Sequence, residues 1–312
     1  MNMSRRLAAV GLAAAALLAA CGDSGSNDAT SDVRAQTDSQ STFPVTVTNG
    51  DREVTVKEEP ESIVSLSATA TEVLFAIGAG PQVAAVDDQS DYPAEAPTTD
   101  LSGYTPNIEA IVAYEPDLVV AAFDPGDLVS SLSALDIPIL FHDAPNDLDG
   151  AYAQMIQLGQ VTGQVDEAKA LIDQTEDEID SLVADVPEID GPLTYFHELD
   201  DTLFTATSTT FIGQIYALAG LENIADDADP GNPYPQLSAE FVIEADPDFV
   251  FLADADCCGQ SLETVADRPG WGSMSAVRSG QVIPLDEDVV SRWGPRITEF
   301  LATVVDAARA AA

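Results

Sequence analysis

Two adjacent cysteines, Cys257 and Cys258, are the most unusual chemical feature of the sequence. Neighbouring Cα atoms lie about 3.8 Å apart across a trans peptide, closer than the roughly 4.4 Å at which ordinary disulfides begin. A bond between the two would close a strained ring, and strain of this kind is common at functional sites, where it could form a rigid apolar ledge for a ligand. Two other interpretations stay open: reduced thiols that bind a soft metal together with His197, or a structural role in a loop.

The histidines and one arginine-containing segment are further candidates. His197 and His142 each follow a strand-like run, and each is either a ligand contact or a polar residue satisfied inside the fold. Arg292, Trp293 and Arg296 lie close together in a chain with only 11 Lys+Arg. Guanidinium groups suit the carboxylates or oxygen donors of a metal chelate, and the indole offers a stacking face. The alternative is ion pairing with the surrounding acids.

Three aromatic residues, Tyr92, Tyr104 and Phe123, follow predicted strands in the first half of the chain. Ligands of open α/β sheets bind beyond the carboxyl ends of the strands. These side chains are therefore predicted to line a ligand cleft, with ordinary packing as the alternative.

Charge and hydropathy limit the class of protein. The 312 residues include 54 Asp+Glu against 11 Lys+Arg, which gives a net charge of −43. A chain so poor in cations is not expected to bind nucleic acid, because such proteins neutralise phosphates with Lys and Arg. The 46% hydrophobic content excludes a disordered acidic chain. The spread of acids predicts a surface suited to high salt, with a cation-binding surface as the alternative.

The first residues have the pattern of an export signal. Residues 1–20 contain Arg5 and Arg6 followed by a short apolar run of small residues, which is typical of a signal peptide. Ala19-Ala20-Cys21 resembles a lipoprotein cleavage site, with Cys21 as the residue that takes the lipid. Residues 21–50 are predicted to form a flexible tether. The protein is thus expected outside the cell membrane or in the periplasm, attached to the membrane through the lipid alone.

The rest of the chain alternates short apolar runs with helical patterns, which predicts parallel sheets covered by helices. Residues 51–150 are predicted to form an N-terminal α/β lobe and residues 189–312 a C-terminal α/β lobe. Residues 151–188 are predicted to be connecting helices, because an apolar stripe from Glu167 to Val186 fits a helix about 30 Å long.

One short pattern occurs in both predicted lobes. Glu115-Pro116-Asp117 and Asp246-Pro247-Asp248 each precede an apolar run, 131 residues apart. Proline cannot continue a helix, so each copy marks a switch from helix to strand. The matching order of neighbouring segments favours two similar lobes over a chance repetition.

Five motifs in one order give the sequence a family resemblance. They are Ser67-Ala68-Thr69-Ala70-Thr71-Glu72, Ser90-Asp91-Tyr92-Pro93, Asn107-Ile108-Glu109-Ala110-Ile111, Glu115-Pro116-Asp117-Leu118 and Gly220-Leu221-Glu222-Asn223-Ile224. Over roughly residues 60–305 the chain resembles the substrate-binding proteins of ABC importers for ferric siderophores, haem and vitamin B12. The resemblance implies two α/β lobes joined by one long rigid helix, with the ligand cleft between them.

The resemblance also implies a function and partners. The protein would act as a monomer that captures a metal chelate and delivers it to an ABC permease and its ATPase, without catalysis and without a cofactor or metal site of its own. In this family an acidic residue on each lobe docks onto permease arginines, and the matching positions are Glu72 and Glu222. Family members use aromatic residues in places comparable to Tyr104 and Phe123.

Two other functions stay open at this point. One is a receptor for a free transition-metal ion, which would use His197 with Cys257 and Cys258. Two histidines in the whole chain argue against it. The other is an exported enzyme with a cysteine nucleophile and His197 as base, although a surplus of acids disfavours the thiolate.

Overall fold

The computed structural model describes residues 42–188 and 191–312. The predicted signal peptide, Cys21 and the tether up to residue 41 lie outside the described residues. Among the helices that are described, none combines the length and the apolar character needed to cross a membrane.

The described parts of the chain alternate strands and helices. The strands are β1 Val45–Asn49, β2 Arg52–Val56, β3 Ile63–Leu66, β4 Val83–Val86, β5 Leu118–Ala121, β6 Ile139–Phe141, β7 Leu193–Glu198, β8 Leu221–Asn223, β9 Phe249–Leu252 and β10 Val282–Pro284. The α-helices are α1 Ala68–Ala76, α2 Ile108–Val112, α3 Leu128–Ser133, α4 Leu148–Thr162, α5 Val165–Ala184, α6 Phe211–Leu218, α7 Ala239–Ala245, α8 Ala255–Cys258, α9 Leu262–Ala266, α10 Ser275–Ser279, α11 Glu287–Val290 and α12 Ile297–Ala311.

Two four-stranded parallel sheets have the same strand order. In the N-terminal lobe the order is β4-β3-β5-β6, and in the C-terminal lobe it is β8-β7-β9-β10. In each of these two sheets the strand that comes first along the chain therefore lies between the second and the third. The central strands are buried on both faces, which explains their continuous apolar runs. The predicted fold of two similar α/β lobes is confirmed.

The repeated proline motif has the same role in both lobes. The amide of Asp117 donates to the carbonyl of Ser62, and the amide of Asp248 donates to the carbonyl of Thr194, at 2.8 and 3.0 Å. The side chain of each aspartate also accepts from the backbone amide of that same neighbour, at 3.1 and 2.8 Å. The motif thus aligns the start of one strand with the start of the next.

Two packed helices connect the lobes. Ala168 near the start of α5 belongs to the core of the N-terminal lobe, and Ile179 near its end belongs to the core of the C-terminal lobe. The helices α4 and α5 touch at Gly159, where a Cβ atom would lie 2.7 Å from the Cβ of Ala168. A long connecting helix was expected over 167–186, and α5 runs from 165 to 184.

The predicted tether extended too far. Its last residues form β1, which pairs in antiparallel register with β2. The alternation of apolar and hydroxyl residues in Val45-Thr46-Val47-Thr48 buries Val47 in the N-terminal core and leaves the hydroxyl groups outside. Residues 45–49 are therefore part of the folded lobe.

Candidate ligand cleft

A cleft of about 300 Å³ lies between the two lobes. Its N-terminal wall includes Ser67, Asp87 and Ala122, which directly follow the strands β3, β4 and β5. Its C-terminal wall is formed by residues of α11 and the turn that follows it. The carboxyl ends of parallel strands thus face the opposite lobe, as expected for a ligand site of this architecture.

Two of the predicted aromatic residues line this cleft. The rings of Tyr104 and Phe123 stack with their centroids 4.8 Å apart and their planes 30° apart. They stay 57% and 47% exposed, which is unusual for a stacked aromatic pair and leaves a broad apolar face for a ligand.

The third predicted aromatic residue, Tyr92, does not line the cleft. Its ring lies under the guanidinium of Arg296, with 4.3 Å between Cζ and the ring centroid. The side chain is 47% exposed, and its visible role is a cation–π contact.

Glu72 is the centre of a buried ionic cluster rather than a surface residue. It is 2% exposed. Nε of Arg296 donates to Oε2 of Glu72 at 3.0 Å and Nη2 donates to Oε1 at 2.6 Å. Nη1 of Arg292 donates to Oε1 at 3.0 Å. The expected docking role of Glu72 is wrong for this structure, because both carboxylate oxygens are covered and bonded inside the fold.

The same cluster joins the two lobes. Arg292, at the C-terminal wall of the cleft, also donates to Oδ1 of Asp91 at 3.1 Å and to the carbonyl of Gln89 at 2.9 Å. Asp288, one helical turn earlier, is a further acceptor. Arg292 is only 7% exposed, and the hydrogen bonds that Arg296 donates to Glu72 raise the pKa of Arg296. The arginines expected to contact ligand are therefore occupied by the protein itself.

Trp293 lines the cleft and is half-buried. Its Nε1 donates to Oε1 of Gln154 in α4 at 2.7 Å. The indole is thus fixed by a connecting helix, and one part of it stays available at the cleft wall.

Both histidines are buried. Nδ1 of His197 lies 2.8 Å from the hydroxyl of Tyr216, and burial lowers the pKa of His197 to about 3. Nε2 of His142 lies 3.1 Å from Oε1 of Gln157, and burial lowers the pKa of His142 as well. His197 is 0% exposed, so the expectation that it contacts ligand is wrong, because its side chain points into the core of the C-terminal lobe.

Cys257 and Cys258 are joined by a disulfide at the end of α8. Both are exposed, and α8 packs against α11, whose residues form the cleft wall. The disulfide stands beside this wall rather than among the lining residues. Thiols that share a metal with His197 are excluded in this state, and within residues 42–188 and 191–312 no three His, Cys, Asp or Glu side chains are grouped to hold a metal.

A second buried charge cluster lies at the carboxyl ends of β7 and β9. Arg268 donates to both carboxylate oxygens of Glu198, each at 2.6 Å, and lies over the ring of Trp271. Asp254 beside them is 1% exposed, and neither of its side-chain oxygens has a hydrogen-bond partner in the described chain. Burial, followed by the charge of Glu198, raises the pKa of Asp254 to about 6.

The family model named Periplasmic binding protein matches residues 63–289. The chain belongs to the periplasmic binding protein family. The match starts at the first strand of the N-terminal sheet and ends in α11 at the cleft wall, so it includes both lobes and the connecting helices.

Relatives of this periplasmic binding protein have related names. A "Cobalamin-binding protein" of Halobacterium salinarum is 30% identical over 285 residues, which cover 88% of this chain and 76% of the relative. An uncharacterized ABC transporter substrate-binding lipoprotein of Bacillus subtilis is 27% identical, with 92% and 91% covered. Both are named as binding proteins and neither as an enzyme.

Solved structures have the same fold. The periplasmic heme-binding protein of Roseiflexus is 27% identical, with a TM-score of 0.72 over 80% of this chain and 99% of that one. The periplasmic vitamin B12-binding protein of Vibrio cholerae is 27% identical, with a TM-score of 0.67 over 80% and 98%.

Sequence reasoning missed one exposed acid pair of this periplasmic binding protein. Glu109 is the second residue of α2 and Glu240 the second residue of α7, and both are exposed. Each lies six residues before its proline motif, so the two stand at matching places in the two lobes. The spacing of 131 residues, already visible between the motifs, would have found the pair.

Proposed function

We propose that this periplasmic binding protein captures a corrinoid in the cleft between its lobes and delivers it to an ABC importer. The observation that carries the proposal is the exposed stacked pair of Tyr104 and Phe123 on the cleft wall. A corrin macrocycle offers a large face that such a pair can cover. The name of the Halobacterium relative supports the same ligand class. The chelate is cargo, so the proposal includes neither a resident cofactor nor catalysis.

Calorimetric titration of the purified protein tests this function. Cyanocobalamin, haem, a ferric hydroxamate siderophore and bare Co²⁺ are titrated separately in high salt. We expect saturable binding of cyanocobalamin and none of bare Co²⁺. Saturation by the bare ion alone would contradict the proposal and favour a receptor for a free metal ion. The burial of His197 gives no support to such a receptor.

We also propose that the protein acts as a monomer attached to the outer face of the membrane through lipid on Cys21. The residues Ala19-Ala20-Cys21 and the lipoprotein name of the Bacillus relative support this. In the producing cell, Cys21→Ser is expected to move the protein from the membrane fraction to the soluble fraction. Retention of the variant in the membrane fraction would contradict lipidation.

We propose that Glu109 and Glu240 dock the two lobes onto the permease. To bind both lobes at the same time, permease arginines would need an accessible carboxylate on each lobe. Glu109 and Glu240 meet this need, because they are exposed and related by the internal repeat. Glu222 is exposed too, but the strand register gives it no acidic counterpart. Asn223 pairs with Tyr195 as Val83 pairs with Ile63, so the residue that matches Glu222 in the N-terminal sheet is the uncharged Gln82.

A further inference from the structure

The cation at the cleft wall is not available to a ligand. Arg292 donates through both terminal nitrogens to Glu72, Asp91, Asp288 and the carbonyl of Gln89. Among the described residues that line the cleft, it is the one Lys or Arg. A guanidinium whose terminal N–H groups are occupied has little left to offer an anionic ligand.

Carboxylates, by contrast, face the cleft from both lobes. Asp87 lines it from the N-terminal lobe and Glu287 from the C-terminal lobe. The ion pairs of Arg292 go to other carboxylates, so neither of these two is in direct contact with it. The described lining residues include three carboxylates, Asp87, Glu287 and Asp288, against one guanidinium, so their formal charge is negative.

Asp87 is the more strongly fixed of the two. It is 5% exposed, and its amide donates to the carbonyl of Ser65 at 2.9 Å. The hydroxyl of Ser90 donates to Oδ1 at 2.6 Å. On the other side Gly103 packs so closely that a Cβ atom would lie 2.7 Å from Oδ2. A carboxylate held in this way is preorganised to accept hydrogen bonds and to repel a second carboxylate.

We infer that the cleft selects chelates whose periphery carries amide N–H donors or positive charge, and rejects chelates with peripheral carboxylates, with Asp87 as the specificity-determining residue. The inference rests on the proposed function only for the location of the site. A buried polar group discriminates strongly because the wrong ligand leaves it unpaired or faces it with like charge.

The test compares ligands that differ only at the periphery. Cobinamide, which carries amides, and cobyrinic acid, which carries carboxylates at the same positions, are titrated against the full-length protein in high salt. We expect the amide form to bind at least tenfold more tightly. Affinities of the two forms within threefold of each other would overturn the inference.

Two variants test whether Asp87 causes the preference for the amide corrinoid. Asp87→Asn is expected to reduce the ratio between the two corrinoids at least tenfold. Asp88→Asn, the adjacent exposed residue with the same change in charge, is expected to leave the ratio within twofold. An unchanged ratio in Asp87→Asn would remove Asp87 from the specificity role. The preference of the unmodified protein is measured independently, so misfolding of a variant would not hide the answer.

A second ligand series separates this inference from the proposed function. Ferrioxamine B carries a free ammonium group, and its succinylated derivative carries a carboxylate on the same chelate. If no corrinoid binds but the ammonium form is preferred, the corrinoid function fails and the charge selection stands. Preference for the carboxylate form, or no binding of any chelate, would overturn the charge selection as well.

Discussion

Glu72 shows that neither the residue type nor the neighbouring sequence reveals whether a carboxylate is buried in a long-range ion pair. In the sequence it is one of 54 acids, and its motif suggested a surface role. Its partners Arg292 and Arg296 are 220 and 224 residues away along the chain. A contact of that separation depends on how the lobes meet, which local patterns do not encode. Phe123 comes two residues after β5, which is a local feature of the sequence. The structure brings it to the cleft wall together with Tyr104, and contact of the pair with a ligand stays a prediction.

Loss of Arg296 is expected to destabilise the protein strongly. Arg296→Ala leaves Glu72 buried without its bidentate partner, and breaking a buried ion pair costs about 3–5 kcal/mol. Urea denaturation at pH 7.5 measures the free energy of unfolding. Arg309→Ala is the matched control, because Arg309 pairs with Asp185 at the surface and such pairs contribute about 0–1 kcal/mol. Equal losses in the two variants would contradict the buried cluster.

Asp254 is expected to make stability depend on pH. Its pKa in the folded protein is about 6, above the ordinary value of 3.8, so the folded state holds the proton more tightly than the unfolded state. This contribution stabilises the fold fully below pH 3.8 and is lost as the pH rises through 6. Asp254→Asn should therefore stabilise the protein at pH 7.5 relative to its effect at pH 4. Urea denaturation of both proteins at the two pH values checks this, and a pH-independent difference would contradict it.

At the scale of elements, secondary structure could be predicted where the hydrophobic pattern extends over many residues. The apolar stripe of α5 spans five turns, and periodicity of that length identifies a helix reliably. The four-residue helices α8 and α11 have no such signal. They arise where the chain turns between strand ends and the cleft, so only tertiary contacts define them. The predicted tether includes β1 because its neighbours are polar, and polar composition is typical of a flexible segment. The alternation of valine and threonine in Val45–Asn49 is typical of a strand.

The contact between α4 and α5 is expected to tolerate no larger side chain at Gly159. A Cβ atom there would meet Ala168 Cβ at 2.7 Å and the carbonyl oxygen of Gln164 at 2.8 Å. Gly159→Val should therefore cost at least about 1–3 kcal/mol, as overpacking does. Ala170→Val, at an exposed position of α5, is the control. Thermal denaturation compares them, and an unchanged melting temperature for Gly159→Val would show that the helices can move apart.

At the scale of the whole molecule, the repeat was the most informative signal. The 131-residue spacing predicted two lobes, and the identical strand orders confirm them. What the repeat could not predict is the asymmetry between the lobes. Among the described residues, the disulfide and the two arginines of the ionic cluster belong to the C-terminal lobe alone. They lie in the short helix α8 and in the turn between α11 and α12.

The proposed docking pair gives a prediction for the assembled importer. Glu109→Lys and Glu240→Lys should each lower stimulation of the ATPase at least several-fold, and the double variant should abolish it, because each replaces attraction to an arginine by repulsion. ATP hydrolysis by the reconstituted importer measures this, and ligand affinity should not change. Glu222→Lys is the control with the same change in charge. An equal loss in Glu222→Lys would return the docking role to that residue.

The ionic cluster around Arg292 also determines how the molecule responds to force. A separation of the lobes must either break several buried hydrogen bonds together or carry residues 288–296 along with the N-terminal lobe. The distance between the two walls of the cleft is therefore expected to stay constant. A ligand must fit this width, because its binding does not draw the lobes together. Small-angle scattering should give the same radius of gyration with and without the proposed ligand, and under the proposed function the importer would supply the work of releasing that ligand.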